Sequence, residues 1–188
     1  MIRPLEAIGY LWLVWLVGWM LAALTAARSV VRQRGTGRLI HGLLVAAGAI
    51  LILGRHAWLG PLLQQVYPAR AWIGWTGVVL CVVGLGFAVW ARVEIGRFWS
   101  GTVALKAEHA LVRGGPYAIT RHPIYSGLLL ALLGTALTRD SRAAFLGLPI
   151  VFAGLFVKLK QEERLLLDRF GPEYEKYRAE VPALIPRV

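Results

Sequence analysis

An all-α, polytopic integral membrane protein is the fold class this sequence predicts, on three observations. Of its 188 residues 57% are hydrophobic and only 16% are charged, with a mean hydropathy of +0.60. A soluble domain of this length has no core large enough to hide that much apolar surface. The apolar residues also fall into about five runs of helical length, and the cations gather at the ends of those runs. The net charge of +11 therefore reports membrane orientation and anionic lipid headgroups rather than a nucleic-acid-binding face. One membrane domain over residues 1–188 is expected, with three N-terminal spans in 1–91 and the functional core in 92–188.

The first span runs from about Ile8 to Ala27, close to the ~20 residues needed to cross a hydrocarbon core as helix. Arg3 in front and Thr25-Ala26-Ala27 behind imitate a signal peptide, but the run is long and carries Trp12, Trp15 and Trp19 at helical spacing. It reads as a retained span. A second span covers Leu39 to Leu53. The linker from Gly54 to Arg70, with Trp58, Gly60, Pro61, Tyr67 and Pro68, suits an interfacial loop and reads as the loosest part of the chain. The third span, Ala71 to Ala91, carries Gly74, Gly77, Gly84 and Gly86, which permit close approach of a neighbouring helix.

From Arg92 to Arg121 the chain turns polar, and it is too long there to be an ordinary connector. Val103, Leu105, Leu111 and Val112 argue for a folded segment against the membrane face. The fourth span runs from Pro123 to Leu137 and the fifth from Ala143 to Leu159. The short turn Thr138-Arg139-Asp140-Ser141 makes these two an antiparallel hairpin. Beyond them the fifth helix continues into a charged tail until Gly171-Pro172 stops it, and Tyr174 and Tyr177 suit a second, interfacial helix.

If the loops alternate sides, 16 Lys and Arg fall on the side holding 28–38, 92–121 and the tail from 158, against 5 on the other. The polar loop and the C-terminus are thereby expected on the cytoplasmic face, in a bacterial-type inner membrane. Cys81 is alone within a span, and His41, His56, His109 and His122 lack metal-ligand spacing, so neither a disulfide framework nor a metal is expected. The spans read as clean of mid-membrane charge, which disfavours a transporter.

The chemically unusual stretch is Gly114-Gly115-Pro116-Tyr117-Ala118-Ile119-Thr120-Arg121-His122-Pro123-Ile124-Tyr125-Ser126-Gly127. Gly114-Gly115-Pro116 makes a turn. Pro123 suits the first turn of a helix, which puts His122 at the cap. A helix start beside Arg121 and His122 is a candidate site for an anionic group of a ligand. In the tail, Lys158 and Glu162 stand four apart on one helix face.

Together with His109-Ala110-Leu111-Val112, Glu162-Glu163 and Phe170-Gly171 through Tyr174 and Tyr177, this block resembles the isoprenylcysteine carboxyl methyltransferase and phospholipid methyltransferase superfamily of membrane enzymes. The likeness covers Gly96 to Pro186. It implies S-adenosyl-L-methionine as methyl donor, bound on the cytoplasmic side by the last two spans, the preceding loop and the tail. By that likeness His109, Leu111 and Val112 line the nucleoside pocket beside the Gly115 turn. Tyr117, His122, Pro123 and Tyr125 close over the cofactor, and Glu162 holds one of its polar groups with Glu163 as neighbour. The donor carries a sulfonium, an ammonium and a carboxylate, so a carboxylate and a cationic helix end suit it, here Glu162 and Arg121.

The resemblance further implies a hydrophobic or lipid-like acceptor, entering from the bilayer and meeting the donor near Lys158 and Glu162. A prenylcysteine carboxylate, a phospholipid amine and a thiol all suit such a site. Lys158 stands where the prenylcysteine enzymes carry an arginine, and lysine cannot make the two-pronged carboxylate contact. Two alternatives remain at this level. One is an NADPH-dependent membrane reductase of the sterol-reductase kind, which shares an Arg-His-Pro-like block. The other is a non-catalytic membrane scaffold.

Overall fold

The computed structural model describes residues 2–24, 29–32, 35–54, 57–68, 70–96, 104–106 and 111–186. The chain is an all-α polytopic membrane protein, with α1 at Pro4–Ala23, α2 at Gly35–Leu53, α3 at Ala71–Ile95, α4 at Pro123–Arg139, α5 at Arg142–Phe170 and α6 at Pro172–Glu180. Among the described residues α1, α3 and α5 are long and apolar enough to cross a membrane, and α2 and α4 are shorter apolar helices beside them. The pattern of apolar runs did not announce a two-stranded antiparallel ribbon of β1 (Ser29–Arg32) and β2 (Ala104–Lys106), which ties the first polar loop to the third.

Local chemistry sets most boundaries. Pro4, Pro123 and Pro172 each open a helix, where a missing N–H costs nothing. Glu6 reaches back to the Arg3 backbone N–H at 3.0 Å and so starts α1 earlier than the hydrophobic run alone indicates. Ser141 caps α5 by accepting from Ala144 N–H at 3.3 Å. Gly171, at φ +51°, ends α5 in a conformation open chiefly to glycine. At the other end of the sequence's polar loop the helix continues to Ile95, so Arg92 and Glu94 belong to α3 and not to the loop.

Helix pairs are chosen by small residues. Gly77 and Gly84 are seven apart on α3, as are Gly127 and Gly134 on α4. A Cβ at Gly84 would stand 2.4 Å from the Gly127 carbonyl oxygen, and one at Gly77 2.4 Å from that of Gly134. The backbones therefore touch along two turns. Gly74 instead faces Pro4, and a Cβ on Gly86 would meet nothing within 4 Å. Gly48 and Gly147 bring α2 against α5 in the same way. Trp12 donates to Thr135 Oγ1 at 2.9 Å, fixing α1 on α4.

The 54–70 linker is more structured than its composition suggests. It holds a 3-10 segment, Ala57–Leu63, and folds over the α4–α5 turn. Asp140 there adopts φ +46° and accepts from the backbone N–H groups of Val66 (3.0 Å) and Tyr67 (3.2 Å) through Oδ1. Tyr67 donates its hydroxyl to the Leu137 carbonyl. The polar end of the bundle opposite this cap carries the site.

Candidate functional site

Two elements with a sequence separation of about forty residues build the site. His122 is the N-cap residue of α4 with Pro123 behind it, as the Arg-His-Pro order predicts. Across from it, α5 runs past its apolar part, and the extension from Lys158 onward presents Lys158, Glu162 and Glu163. The Tyr125 hydroxyl donates to Glu162 Oε1 at 2.7 Å. Lys158 Nζ lies 4.0 Å from the same oxygen and 5.4 Å from the Tyr125 ring centre. His122 stacks parallel to Tyr125 with ring centres 5.5 Å apart.

His122 is wedged between carboxylates. Nδ1 is 3.6 Å from Glu162 Oε2 and Nε2 is 3.5 Å from Glu163 Oε1. These are ion-pair distances longer than ordinary hydrogen bonds, and the buried Nε2 makes no direct one. Burial by itself lowers the imidazole's proton affinity, but the two carboxylates outweigh it and the net direction is upward. Glu163 is the mirror case. Burial raises it, yet His122 and Arg121 prevail and hold its carboxyl at about 2. Arg121 grips Glu163 Oε1 through Nε (3.0 Å) and Nη2 (2.5 Å), with both side chains under 10% exposed. Glu162 keeps 22% exposure and is the member of this cluster that a ligand can reach.

The C-terminal segment fastens the arrangement. Arg121 N–H donates to the Pro182 carbonyl (2.9 Å), His122 N–H to that of Ala183 (3.0 Å) and Ser126 Oγ to that of Leu184 (2.6 Å). Arg121 Nη1 adds bonds to the carbonyls of Val181 and Arg178. Tyr174 and Tyr177 are 0% and 2% exposed, so they are packing residues of the site and not the interfacial anchors their place in the sequence suggests. Tyr177 donates to the Tyr117 carbonyl at 2.6 Å, which pins the 3-10 turn Gly115–Ala118.

Most of the expected residues come together. Arg121, His122, Pro123, Tyr125, Lys158, Glu162 and Glu163 form one cluster, with Tyr117 buried beneath it. Leu111 and Val112 are half-buried on the approach to the turn. Gly115 has φ +54°, and a Cβ there would stand 3.0 Å from Glu94 Oε2, so the turn is folded closely under the end of α3. His109 lies outside the described residues. The helix-start reading of an open anion site meets a different geometry, since the Arg121 guanidinium is turned onto Glu163 and the tail.

Sequence reasoning passed over the tail carbonyls, which carry no side-chain signal.

The sequence profile of the isoprenylcysteine carboxyl methyltransferase family matches residues 77–168. The cobalt-zinc-cadmium resistance protein CzcN of Cupriavidus metallidurans is 33% identical over 74% of this chain and 58% of its own length. A protein-S-isoprenylcysteine O-methyltransferase of Schizosaccharomyces pombe is 37% identical over 52% of this chain and 43% of its own. Protein-S-isoprenylcysteine O-methyltransferase B of Arabidopsis thaliana is 27% identical over 79% of this chain and 83% of its own. The chain thus spans about half the length of the first two relatives.

Proposed function

We propose that this chain, which the sequence profile of the isoprenylcysteine carboxyl methyltransferase family matches over residues 77–168, transfers a methyl group from S-adenosyl-L-methionine to a hydrophobic or lipid-like acceptor at the cytoplasmic face of an inner membrane. The observation that carries this reading is the Glu162 carboxylate, oriented by Tyr125 and Lys158 and reachable at the polar end of α5. A donor bearing a sulfonium and an ammonium needs an oriented anion, and Glu162 fits. The stacked rings of His122 and Tyr125 offer a flat wall beside it. When bound, the donor supplies a methyl group already activated by positive sulfur.

The protein's own task is then alignment and exclusion of water. Glu162 holds the donor's cationic part, and Lys158 stands on the acceptor side. Arg121 and Glu163 act one step away, by fixing His122. Leu111, Val112, Gly115, Tyr117 and Pro123 form the wall on the loop side, with His109 as a further candidate for that wall. The excess of cations on the side of the loops and tail supports the cytoplasmic orientation.

Calorimetry with S-adenosylmethionine and its demethylated product tests this. Micromolar binding by the detergent-purified wild type, lost in Glu162→Ala, is the expected result. A folded, monodisperse wild type that binds neither would sink the proposal in favour of a nicotinamide-dependent reductase or a scaffold.

A further inference from the structure

α1 and α3 run parallel, and one offset of 70 positions relates them from end to end. A Cβ at Gly74 would stand 3.2 Å from the Pro4 side chain. Ile8, Val78 and Leu85 share one buried apolar cluster, and Trp15 packs against it. At the far end of the seam the Arg92 guanidinium reaches the Ala22 carbonyl. Parallel helices bring their C-termini together, and those ends carry unpaired carbonyls and the negative pole of each helix. Side by side and away from water they repel. Arg92, only 6% exposed, stands between them. Its Nη2 donates to the Ala22 carbonyl of α1 and its Nη1 to the Gly96 carbonyl that caps α3, each at 2.7 Å. A planar, two-armed cation suits this place in a way that the point charge of a lysine does not.

The same turn of α3 meets the site. Gly96 N–H returns to the Arg92 carbonyl, so the backbone and the guanidinium of Arg92 together close the last turn around Glu94. The Glu94 carboxylate lies against the Gly114-Gly115 turn, its oxygens 3.1 and 3.0 Å from where Cβ atoms at those two positions would be. From the other side Tyr177 holds the turn through the Tyr117 carbonyl. The buried Tyr117 side chain interacts electrostatically with Arg92 and Glu94 as well as with Glu162. The turn is therefore placed by α6 on one side and by the end of α3 on the other. Arg92 ties that end of α3 to α1.

We propose that Arg92 is a positioning residue of the donor site: by joining the ends of α1 and α3 it fixes where the Gly115–Ala118 turn stands relative to Glu162. The first span thereby takes part in donor binding through its last carbonyls. This rests on the methyltransferase reading and deepens it. Coupling of this kind is reciprocal, so a bound donor alters the end of α1 in turn.

Trp19, stacked on Trp15 with ring centres 4.6 Å apart, lies less than one turn before Ala22 and reports on that end. The test labels the full chain with 5-fluorotryptophan, identifies the Trp19 fluorine signal by its loss in Trp19→Phe, and titrates S-adenosylmethionine and its demethylated product in detergent. In the wild type the Trp19 signal is expected to shift on saturation. Arg92→Met and Arg92→Lys are expected to bind the donor at least about tenfold more weakly, the scale of a hydrogen bond to a charged group. In both, the Trp19 shift should be lost at saturation and amide exchange over residues 115–118 should be faster. The lysine variant separates the charge, which it keeps, from the two-armed bridge. Thr135→Val is the control. It removes the acceptor of Trp12, loosening α1 by a contact other than Arg92, and should lower the unfolding temperature with donor affinity and the Trp19 shift intact. Wild-type affinity in either Arg92 variant, or an equal loss of affinity in Thr135→Val, overturns the assignment. So does a donor-binding wild type whose Trp19 signal does not move, a reading that needs no variant able to misfold. A wild type that binds no donor overturns the methyltransferase reading and this one with it.

Discussion

The hydroxyl of Tyr125, on the first turn of α4, donates a 2.7 Å hydrogen bond to Oε1 of Glu162, on the polar extension of α5. This bond joins the two halves of the site and orients the one carboxylate of the cluster that a ligand can reach. Tyr125→Phe keeps the ring that stacks on His122 and removes only the donor. A hydrogen bond to a charged group contributes about 1.5–3 kcal/mol, so S-adenosylmethionine affinity is expected to fall by about tenfold or more with the fold intact, measured by calorimetry beside circular dichroism. Unchanged affinity would separate Glu162 from donor binding.

Arg121 and Glu163 are a buried ion pair, and removing one partner strands the other. Arg121→Ala is expected to destabilise the protein by about 3–5 kcal/mol, and Arg121→Ala/Glu163→Ala by less than the sum of its single changes. Denaturant unfolding in detergent reads this, with a double-mutant cycle for the coupling. An additive cycle would show that the pair is not coupled.

His122 makes stability depend on pH. Its proton affinity is raised on folding, so its stabilising contribution is complete below the unfolded value near 6.5 and fades as pH climbs through the raised folded value. Glu163, held at about 2, contributes above its ordinary carboxylate range and loses that only as pH falls toward 2. As pH rises above about 6.5 the wild type should therefore lose stability that His122→Gln, already lower at pH 6, does not lose. Parallel curves for the two proteins would refute this.

The glycine pairs allow a sharp contrast. Gly84→Ala puts a methyl 2.4 Å from the Gly127 carbonyl oxygen, while Gly86→Ala meets nothing within 4 Å. The first should force α3 and α4 apart at a cost of several kcal/mol, as overpacking does. The second should stay within about 1 kcal/mol, the scale of helix propensity. Thermal unfolding of both variants in one detergent decides it.

Asp140 holds the linker on the far end of the bundle. Asp140→Ala removes the acceptor of two backbone N–H groups, and hydrogen exchange at Val66 and Tyr67 should accelerate by about tenfold or more. Asp140→Asn keeps a carbonyl oxygen in place and should stay close to the wild type.

The sequence alone determined what is local. The apolar runs gave the membrane helices, Pro123 gave the start of α4 with His122 at its cap, Gly171-Pro172 gave the break before α6, and the Gly77 and Gly84 spacing gave a face for close approach. Hydrophobic period, proline and glycine act within a turn or two, so their meaning is readable before folding.

Tertiary structure decided which charges meet. That Arg121 spends itself on Glu163, that Glu162 is the carboxylate left within reach, and that Tyr174 and Tyr177 go inside all depend on residues about forty to sixty positions apart. Such pairings are chosen when helix packing removes water and each buried charge must find its opposite, and no local pattern in the chain encodes that choice.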